Sequence, residues 1–324
     1  MDNLKLVVLD NFSDVGTKVD EEIKRLRKVD KSFLLKVKRD RFSNGEGKVS
    51  IGESVNGCDL YIMSDVGNYG QSYMMHGREH FMSPDEHFED IKRVIAATSG
   101  HASKINVIMP LLYQSRQHKR RGNESLDCAI ALQELERIGV NNIITFDVHD
   151  SNVQNAIPCS SFDNFYPTNI LLEKFVTREN VNNDNLLAVS PDNGAIKRTN
   201  FYANMLGCEL GGHFEKQRDV YKVVDGKNPI LKHEYIGKDV HGKDIIIVDD
   251  MIASGESMID VARELKKRGA NQIFMMSAYS LFTKGLEVFD KAYEEGLFTK
   301  LYTTNLSYVS KEALSRPWLY QVDC

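Results

Sequence analysis

Asp244-Ile-Ile-Ile-Val-Asp-Asp-Met-Ile-Ala-Ser-Gly-Glu-Ser257 decides how this chain is read. Three isoleucines and a valine run without a polar break into two adjacent carboxylates, Asp249 and Asp250. A Ser-Gly turn follows, then an amphipathic segment, Met258 to Arg268, stopped by Gly269. A short apolar run feeding a helix through a tight turn is how a buried parallel strand delivers residues to a site at its carboxyl end. Turn amides and a helix N-terminus form a nest for an anion, and Ser254 and Ser257 add hydroxyl donors. Asp249 and Asp250 are then placed for sugar hydroxyls or a divalent cation. Phosphate on one side and polyol or metal on the other suit a phosphorylated sugar. The plainer alternative is a buried strand ending in a solvated acidic pair before an ordinary helix cap. It accounts for each part but not for the whole ordered pattern.

Outward from this stretch, strands alternate with helices. In the N-terminal half the patterning predicts strands at Leu4–Leu9, Leu34–Val37, Lys48–Ile51, Asp59–Met63, Ile105–Met109 and Asn142–Phe146. Helices are predicted at Val19–Lys28, Phe88–Ser99 and Ser125–Ile138, and residues 68–87 read as a loop insertion. The second half repeats the scheme, with strands at Leu186–Val189, Asp244–Val248 and Gln272–Met276 and helices at Ala195–Leu206 and Met258–Arg268. A further strand is expected at the end of the chain, from Pro317 to Cys324. Such alternation implies an α/β protein with mainly parallel sheets flanked by helices. At 324 residues there is room for two domains, expected at 1–165 and 166–324.

Composition narrows the function. A net charge of −5 argues against a general nucleic-acid binder. Five cysteines (Cys58, Cys128, Cys159, Cys208, Cys324) form no Cys-x-x-Cys pair and no metal spacing, which reads as reduced thiols in a cytoplasmic protein. No apolar run approaches the ~20 residues of a membrane span, and no signal-peptide pattern opens the chain.

Other constellations repeat the strand-end theme. Asp147-Val-His149 closes one apolar strand, and Ser190-Pro-Asp-Asn-Gly194 follows another, with Lys197 and Arg198 close behind. A surface histidine and a plain helix N-cap are the bland readings of these two. Neutral histidine and aspartate also suit a magnesium ion held mostly by substrate phosphates. Arg41-Phe-Ser-Asn-Gly-Glu46 is a hairpin turn whose exposed Phe42, amide and carboxylate could read a purine. Arg116-Gln-His-Lys-Arg-Arg121 is either a solvated basic loop or a local triphosphate site. Lys216 and Arg218, two apart, can point at one phosphate group, though a solvated charge run is as good a reading. Gly237-Lys-Asp-Val-His-Gly-Lys-Asp244 nearly spells a Walker A loop, but it precedes a strand and lacks the Ser/Thr for magnesium.

The 249–257 loop resembles the phosphoribosyl-diphosphate (PRPP) loop of type I phosphoribosyltransferases and of ribose-phosphate diphosphokinases. Taken in order, Arg41–Glu46, Arg116-Gln117, Asp147-Val-His149, Ser190-Pro-Asp192, Lys216-x-Arg218 and Asp249–Ser257 match the diphosphokinase family, with support from Ile51–Val55 and Ser280–Phe282. The resemblance implies two phosphoribosyltransferase-like domains and transfer of diphosphate from MgATP to the C1 hydroxyl of ribose 5-phosphate, giving PRPP and AMP. It implies that Phe42, Asn44, Gly45 and Glu46 contact adenine from a neighbouring subunit and that Arg116 and Gln117 bind ATP. His149 and Asp192 would hold magnesium. Asp249 and Asp250 would take the ribose hydroxyls and a second magnesium, and Ala253, Ser254, Gly255, Glu256 and Ser257 the 5-phosphate. Lys216 and Arg218 would be catalytic. It further implies self-association as dimers or hexamers.

This chain departs from the family pattern in places. The usual Thr-Gly-Gly-Thr core of the loop is Ser254-Gly-Glu-Ser257 here, so Glu256 sets a carboxylate beside the phosphate. His118 stands where the family commonly has aspartate, and residues 68–87 look longer than usual. The sequence stops before the helix that usually follows the Leu319–Val322 strand. Two other classes compete: a non-catalytic regulatory homologue, and a phosphoribosyltransferase that consumes PRPP.

Overall fold

The computed structural model describes residues 3–120, 122–179, 181–218 and 230–324, with backbone alone at 216–218 and 230–233. The chain divides into two units, residues 1–166 with 306–308 and residues 167–305 with 309–324. The first runs β1 (Leu4–Val8), α1 (Ser13–Arg27), β2 (Val37–Arg41), β3 (Gly47–Ile51), β4 (Asp59–Met63), β5 (Ser72–Met75), β6 (Arg78–Phe81), α2 (Pro84–Ala97), β7 (Lys104–Ile108), α3 (Asp127–Arg137), β8 (Asn142–Phe146) and β9 (Ser161–Phe165). Five strands form a parallel sheet in the order β1-β4-β7-β8-β9. Parallel neighbours need crossovers in place of tight hairpins, which is the work of α2 and α3. Leu60, Ile62, Val107 and Ile143 share a core with Phe88, Ile91, Val94 and Ile95 of α2, whose spacing keeps them on one helical stripe.

The region 68–87 is not an irregular loop. It holds the hairpin β5–β6, paired from Ser72↔Phe81 to Met75↔Arg78, and the first turn of α2. Two-residue hairpin turns of the favoured hand need positive φ at both central positions, and Asn-Gly is their usual signal. His76 and Gly77 supply it here at φ 49° and 75°; histidine is one of the few non-glycine residues that tolerates this region. The helix begins at Pro84, ahead of the expected Phe88, because Ser83 accepts from the Glu86 amide while Glu86 returns to the Ser83 amide. That capping box satisfies two otherwise orphaned donors. Likewise α1 starts before Val19, and Leu34 makes only an isolated bridge to Leu6.

The second unit runs α4 (Thr168–Arg178), β10 (Leu186–Ser190), α5 (Ile196–Leu206), β11 (Glu209–Arg218), β12 (Ile230–Gly237), β13 (Asp244–Ile252), α6 (Glu256–Lys267), β14 (Ile273–Ser280), α7 (Glu287–Glu294), β15 (Lys300–Thr304), α8 (Lys311–Leu314) and β16 (Leu319–Val322). Its seven strands are ordered β12-β11-β10-β13-β14-β15-β16, and only β12 is antiparallel. The unbroken apolar run of β13 follows from its central place. Ile245 and Ile247 pack with Met258, Val261 and Leu265 of α6, while Ile246 and Val248 pack with Phe175 and Tyr202 on the other face. With both faces covered, no position in the run is left for a polar residue.

β13 does not stop at Val248. It stays paired with β14 through Asp249↔Ser277 and Ile252↔Ser280, so the acidic pair lies within a paired strand and not after it. Residues 209–218, which carry Lys216 and Arg218, form β11 against β12. Residues 219–229 lie outside the described residues.

The tripeptide Leu306–Tyr308 packs with the first unit. Ser307 Oγ and the Tyr308 amide donate to the buried Asp65 carboxylate at 3.0 and 2.7 Å, and the Gly67 amide donates at 2.9 Å. Burial pushes Asp65 up to about 7 despite those three donors.

Candidate functional site

In the second unit the site begins where β13 reaches its acidic pair. Asp250 is buried and Asp249 half-buried. The Asp250 amide donates to Asp249 Oδ1 at 2.9 Å, and Arg198 Nη1 stands 3.6 Å from Asp250 Oδ1. Burial, then the neighbouring Asp250, then the charge of Asp192 raise the Asp249 carboxyl well above its ordinary range, and Arg198 only partly offsets them. The topology explains why Asp192 is felt there: it follows β10, the parallel neighbour of β13. Two adjacent carboxylates, with a guanidinium beside Asp250 and the charge of Asp192 felt at Asp249, form a hard-oxygen, negative environment suited to sugar hydroxyls or to a cation that brings other ligands. Arg198 was not singled out as a site residue from sequence, where it reads only as a charge in a helix.

Asp192 also has a local structural role. Its Oδ1 accepts from the Gly194 and Ala195 amides at 2.8 and 3.1 Å, closing the turn ahead of α5, whose own N-cap, Ala195, has no side-chain cap. Among the described residues no three His, Cys, Asp or Glu side chains converge to hold a metal by themselves. A metal here would therefore take most of its ligands from substrate phosphates.

Residues 253–255 connect β13 to α6. Gly255 sits at φ 82°, and a Cβ added there would lie 2.0 Å from Phe289 Cζ. Backbone conformation and the ring behind it both demand glycine. Ala253 and Ser254 are half-buried, while Glu256 and Ser257 face solvent at the first turn of α6. The Glu256 carboxylate accepts from Lys284 Nζ at 2.6 Å and from Ser254 Oγ at 3.4 Å. The carboxylate that departs from the family loop is thus matched by an ammonium group from a distant turn, which no local signal reveals. Lys216 and Arg218 have backbone positions in β11, but their side chains lie outside the described residues.

In the first unit two expected segments meet. His118 Nε2 lies 3.3 Å and Lys119 Nζ 3.0 Å from Asp150 Oδ2, and the His118 and His149 rings pack edge-on with centroids 5.2 Å apart. Burial and the neighbouring His149 lower the His118 pKa, which favours the neutral imidazole of His118. His149 is exposed. Gln117 Nε2 donates to the Ser125 carbonyl at 2.8 Å, fixing the loop just ahead of α3, and Arg116 is exposed. Arg121 lies outside the described residues.

The Arg41–Glu46 turn caps β2–β3. The Phe42 amide donates to the Glu46 carbonyl at 2.8 Å, Asn44 Nδ2 donates to Glu46 Oε2 at 3.0 Å, and Gly45 takes φ 97°. Phe42 is 53% exposed, so its ring offers a stacking face. The strands beneath are anchored electrostatically. Arg39 Nη1, Arg41 Nη2 and Arg93 Nη1 reach the fully buried Asp90 of α2 at 3.2, 2.6 and 2.8 Å. Arg39 and Arg41 are two apart on β2 and so share its face.

Comparison with known proteins matches both halves. Residues 4–139 match the N-terminal domain of ribose phosphate pyrophosphokinase, and residues 170–297 match the phosphoribosyl transferase domain. The ribose-phosphate pyrophosphokinase of Ralstonia nicotianae is 30% identical over 263 residues, covering 80% of this chain and 75% of that protein. That of Synechococcus elongatus is 26% identical over 312 residues, covering 96% and 85%. The solved phosphoribosylpyrophosphate synthetase of Mycobacterium smegmatis shares the fold, with a TM-score of 0.78 at 21% identity over 99% of this chain and 94% of that one.

Proposed function

Because the chain belongs to the ribose-phosphate pyrophosphokinase family, we propose that it makes PRPP, transferring diphosphate from MgATP to ribose 5-phosphate and releasing AMP. One observation carries the reading: the pyrophosphokinase N-terminal domain and a phosphoribosyltransferase domain lie in a single chain. An enzyme that only consumes PRPP has no need of the first.

In the proposed reaction the ribose C1 oxygen attacks the β-phosphorus of ATP, the bond from that phosphorus to the α-bridging oxygen breaks, and the hydroxyl proton is lost. Such a displacement depends on positioning and charge neutralisation more than on covalent chemistry. Asp249 and Asp250 orient the ribose hydroxyls. The amides and hydroxyls of 253–257 take the 5-phosphate at the start of α6, where backbone donors and the helix dipole favour an anion. Lys216 and Arg218 stabilise the charge that spreads over the transferring group. Phe42, Asn44, Gly45 and Glu46 read the base, donated to a neighbouring subunit in a dimer or hexamer, and Arg116 and Gln117 hold the phosphates. His149 and Asp192 would hold magnesium, which would supply neutralisation of the phosphate charge.

The test is to incubate the protein with ATP, ribose 5-phosphate and magnesium and to quantify nucleotides and PRPP. AMP and PRPP in equal amounts are expected. ADP in place of AMP, or no AMP above background, would remove this function.

A further inference from the structure

The β5–β6 hairpin lies outside the six motifs that carry the family resemblance, yet its contacts converge on the turn assigned to the base. The His76 amide donates to the Ser43 carbonyl at 2.8 Å, joining the tips of two separate hairpins. Behind that bond the tips are in close contact: a Cβ on Gly45 would lie 2.9 Å from Met75 Sδ and 3.3 Å from Tyr73 Oη. The Arg41 guanidinium, which begins the turn, lies 5.5 Å from the Tyr73 ring centroid. Its buried Nε has no hydrogen-bond partner, so the ring face is a stabilising neighbour for the cation.

The hairpin is itself fixed. Tyr73 Oη donates to Glu86 Oε1 at 2.6 Å, and His80 Nε2 is 2.9 Å from Glu86 Oε2. Burial alone would raise the Glu86 carboxyl, but bonds from Tyr73, the Ser83 amide and His80 outweigh it and hold the group at about 2. Glu86 therefore stays ionised and ties the hairpin to the start of α2. One turn further along the same helix, Asp90 grips the strand below the base-reading turn. The contacts close a loop from α2 to β5–β6, to the tip of β2–β3, and back to α2. A shift in the second hairpin must move Ser43 to Glu46.

We infer that the β5–β6 hairpin is a positioning element of the nucleotide site: it sets the Phe42–Glu46 turn and thereby the affinity for the base. This rests on the proposed role of that turn. The hairpin touches no reacting atom, so its influence falls on binding and not on the chemical step. Linkage makes the effect reciprocal, so a bound base stabilises the contact between the tips.

The experiment compares the full chain with Met75→Ala, Tyr73→Phe and Phe42→Ala variants. ATP and inorganic tripolyphosphate, which has no base, are titrated calorimetrically, and initial rates give KM and kcat. The hairpin variants are expected to weaken ATP about five- to tenfold while kcat and the KM for ribose 5-phosphate stay within about twofold. Tripolyphosphate affinity should not change. In the unmodified chain, ATP but not tripolyphosphate should slow hydrogen exchange at the His76 amide. If Phe42→Ala weakens ATP and the hairpin variants do not, the inference is overturned and the role of the turn stands. If Phe42→Ala also leaves ATP affinity unchanged, the turn loses its role and the inference goes with it. Equal losses in kcat and in affinity for both substrates would mark a general scaffold effect and equally overturn it.

Discussion

The 253–257 loop of the second unit and the Arg41–Glu46 turn of the first hold their shape by different means. The loop is rooted in one strand and one helix that are contiguous in sequence, with two layers of apolar packing beneath. The turn stands on a two-stranded hairpin whose support comes from Asp90 on a helix and from a second hairpin. A site built on contiguous backbone is set by local conformation and packing. A site built on separated polar contacts is set by a few charges and hydrogen bonds, and one change propagates through all of them.

Gly255→Val should give the largest effect. It adds a side chain at positive φ against Phe289, a combination of backbone strain and overpacking that costs about 4 kcal/mol. Chemical denaturation should show the loss, and ribose 5-phosphate binding should vanish while tripolyphosphate still binds. Retention of sugar-phosphate affinity would mean the loop is not governed by its backbone.

Asp90→Ala should come next. It leaves Arg39, Arg41 and Arg93 facing one another without their buried carboxylate, at a cost of about 3 kcal/mol. ATP affinity should fall and ribose 5-phosphate affinity should not, which separates the two regions directly. If both substrates weaken together, the contrast between them is false.

Asp249→Asn should stabilise the protein while removing activity. Folding raises the Asp249 pKa, so above about pH 4 the folded chain binds more protons than the unfolded one, and stability falls as pH rises through that window. Removing the charge should lift Tm by about 2–4 °C, more at pH 8 than at pH 5. Equal gains at both pH values would exclude like-charge repulsion as the cause.

The smallest effect belongs to Lys284→Met. The exposed Lys284–Glu256 pair contributes little to stability, so Tm should stay within about 1 °C. The uncovered carboxylate should raise the KM for ribose 5-phosphate about two- to fivefold. The double variant with Glu256→Gln should return it to the starting value.

The contrast also explains what the sequence could convey. Ile245–Val248 announced a buried parallel strand because nothing else tolerates such a run between two packed layers. The end of β13 was misplaced because Asp249 and Asp250 look like a strand terminus, whereas pairing with β14 carries them inward. The β5–β6 hairpin stayed hidden because its turn is His-Gly and its short strands mix polar and apolar residues on both faces, so no alternation shows. Glu256 was visible, but its partner Lys284 is 28 residues away and nothing local joins them. Asp90 reads as one more charge on a charged helix until three arginines are seen around it. Conformation encoded in neighbours was legible; electrostatic matching across the fold was not.

Leu306–Tyr308 has a consequence for anyone who would cut this protein in two. A fragment ending at Tyr166 contains the whole five-stranded sheet, yet it leaves Asp65 without the Ser307 hydroxyl and the Tyr308 amide. The severed half would carry an acid stripped of two of the three donors that lower its pKa, and its stability would fall as pH rises above about 4, more than in the intact chain. A synthetic peptide spanning the tripeptide should restore it in trans.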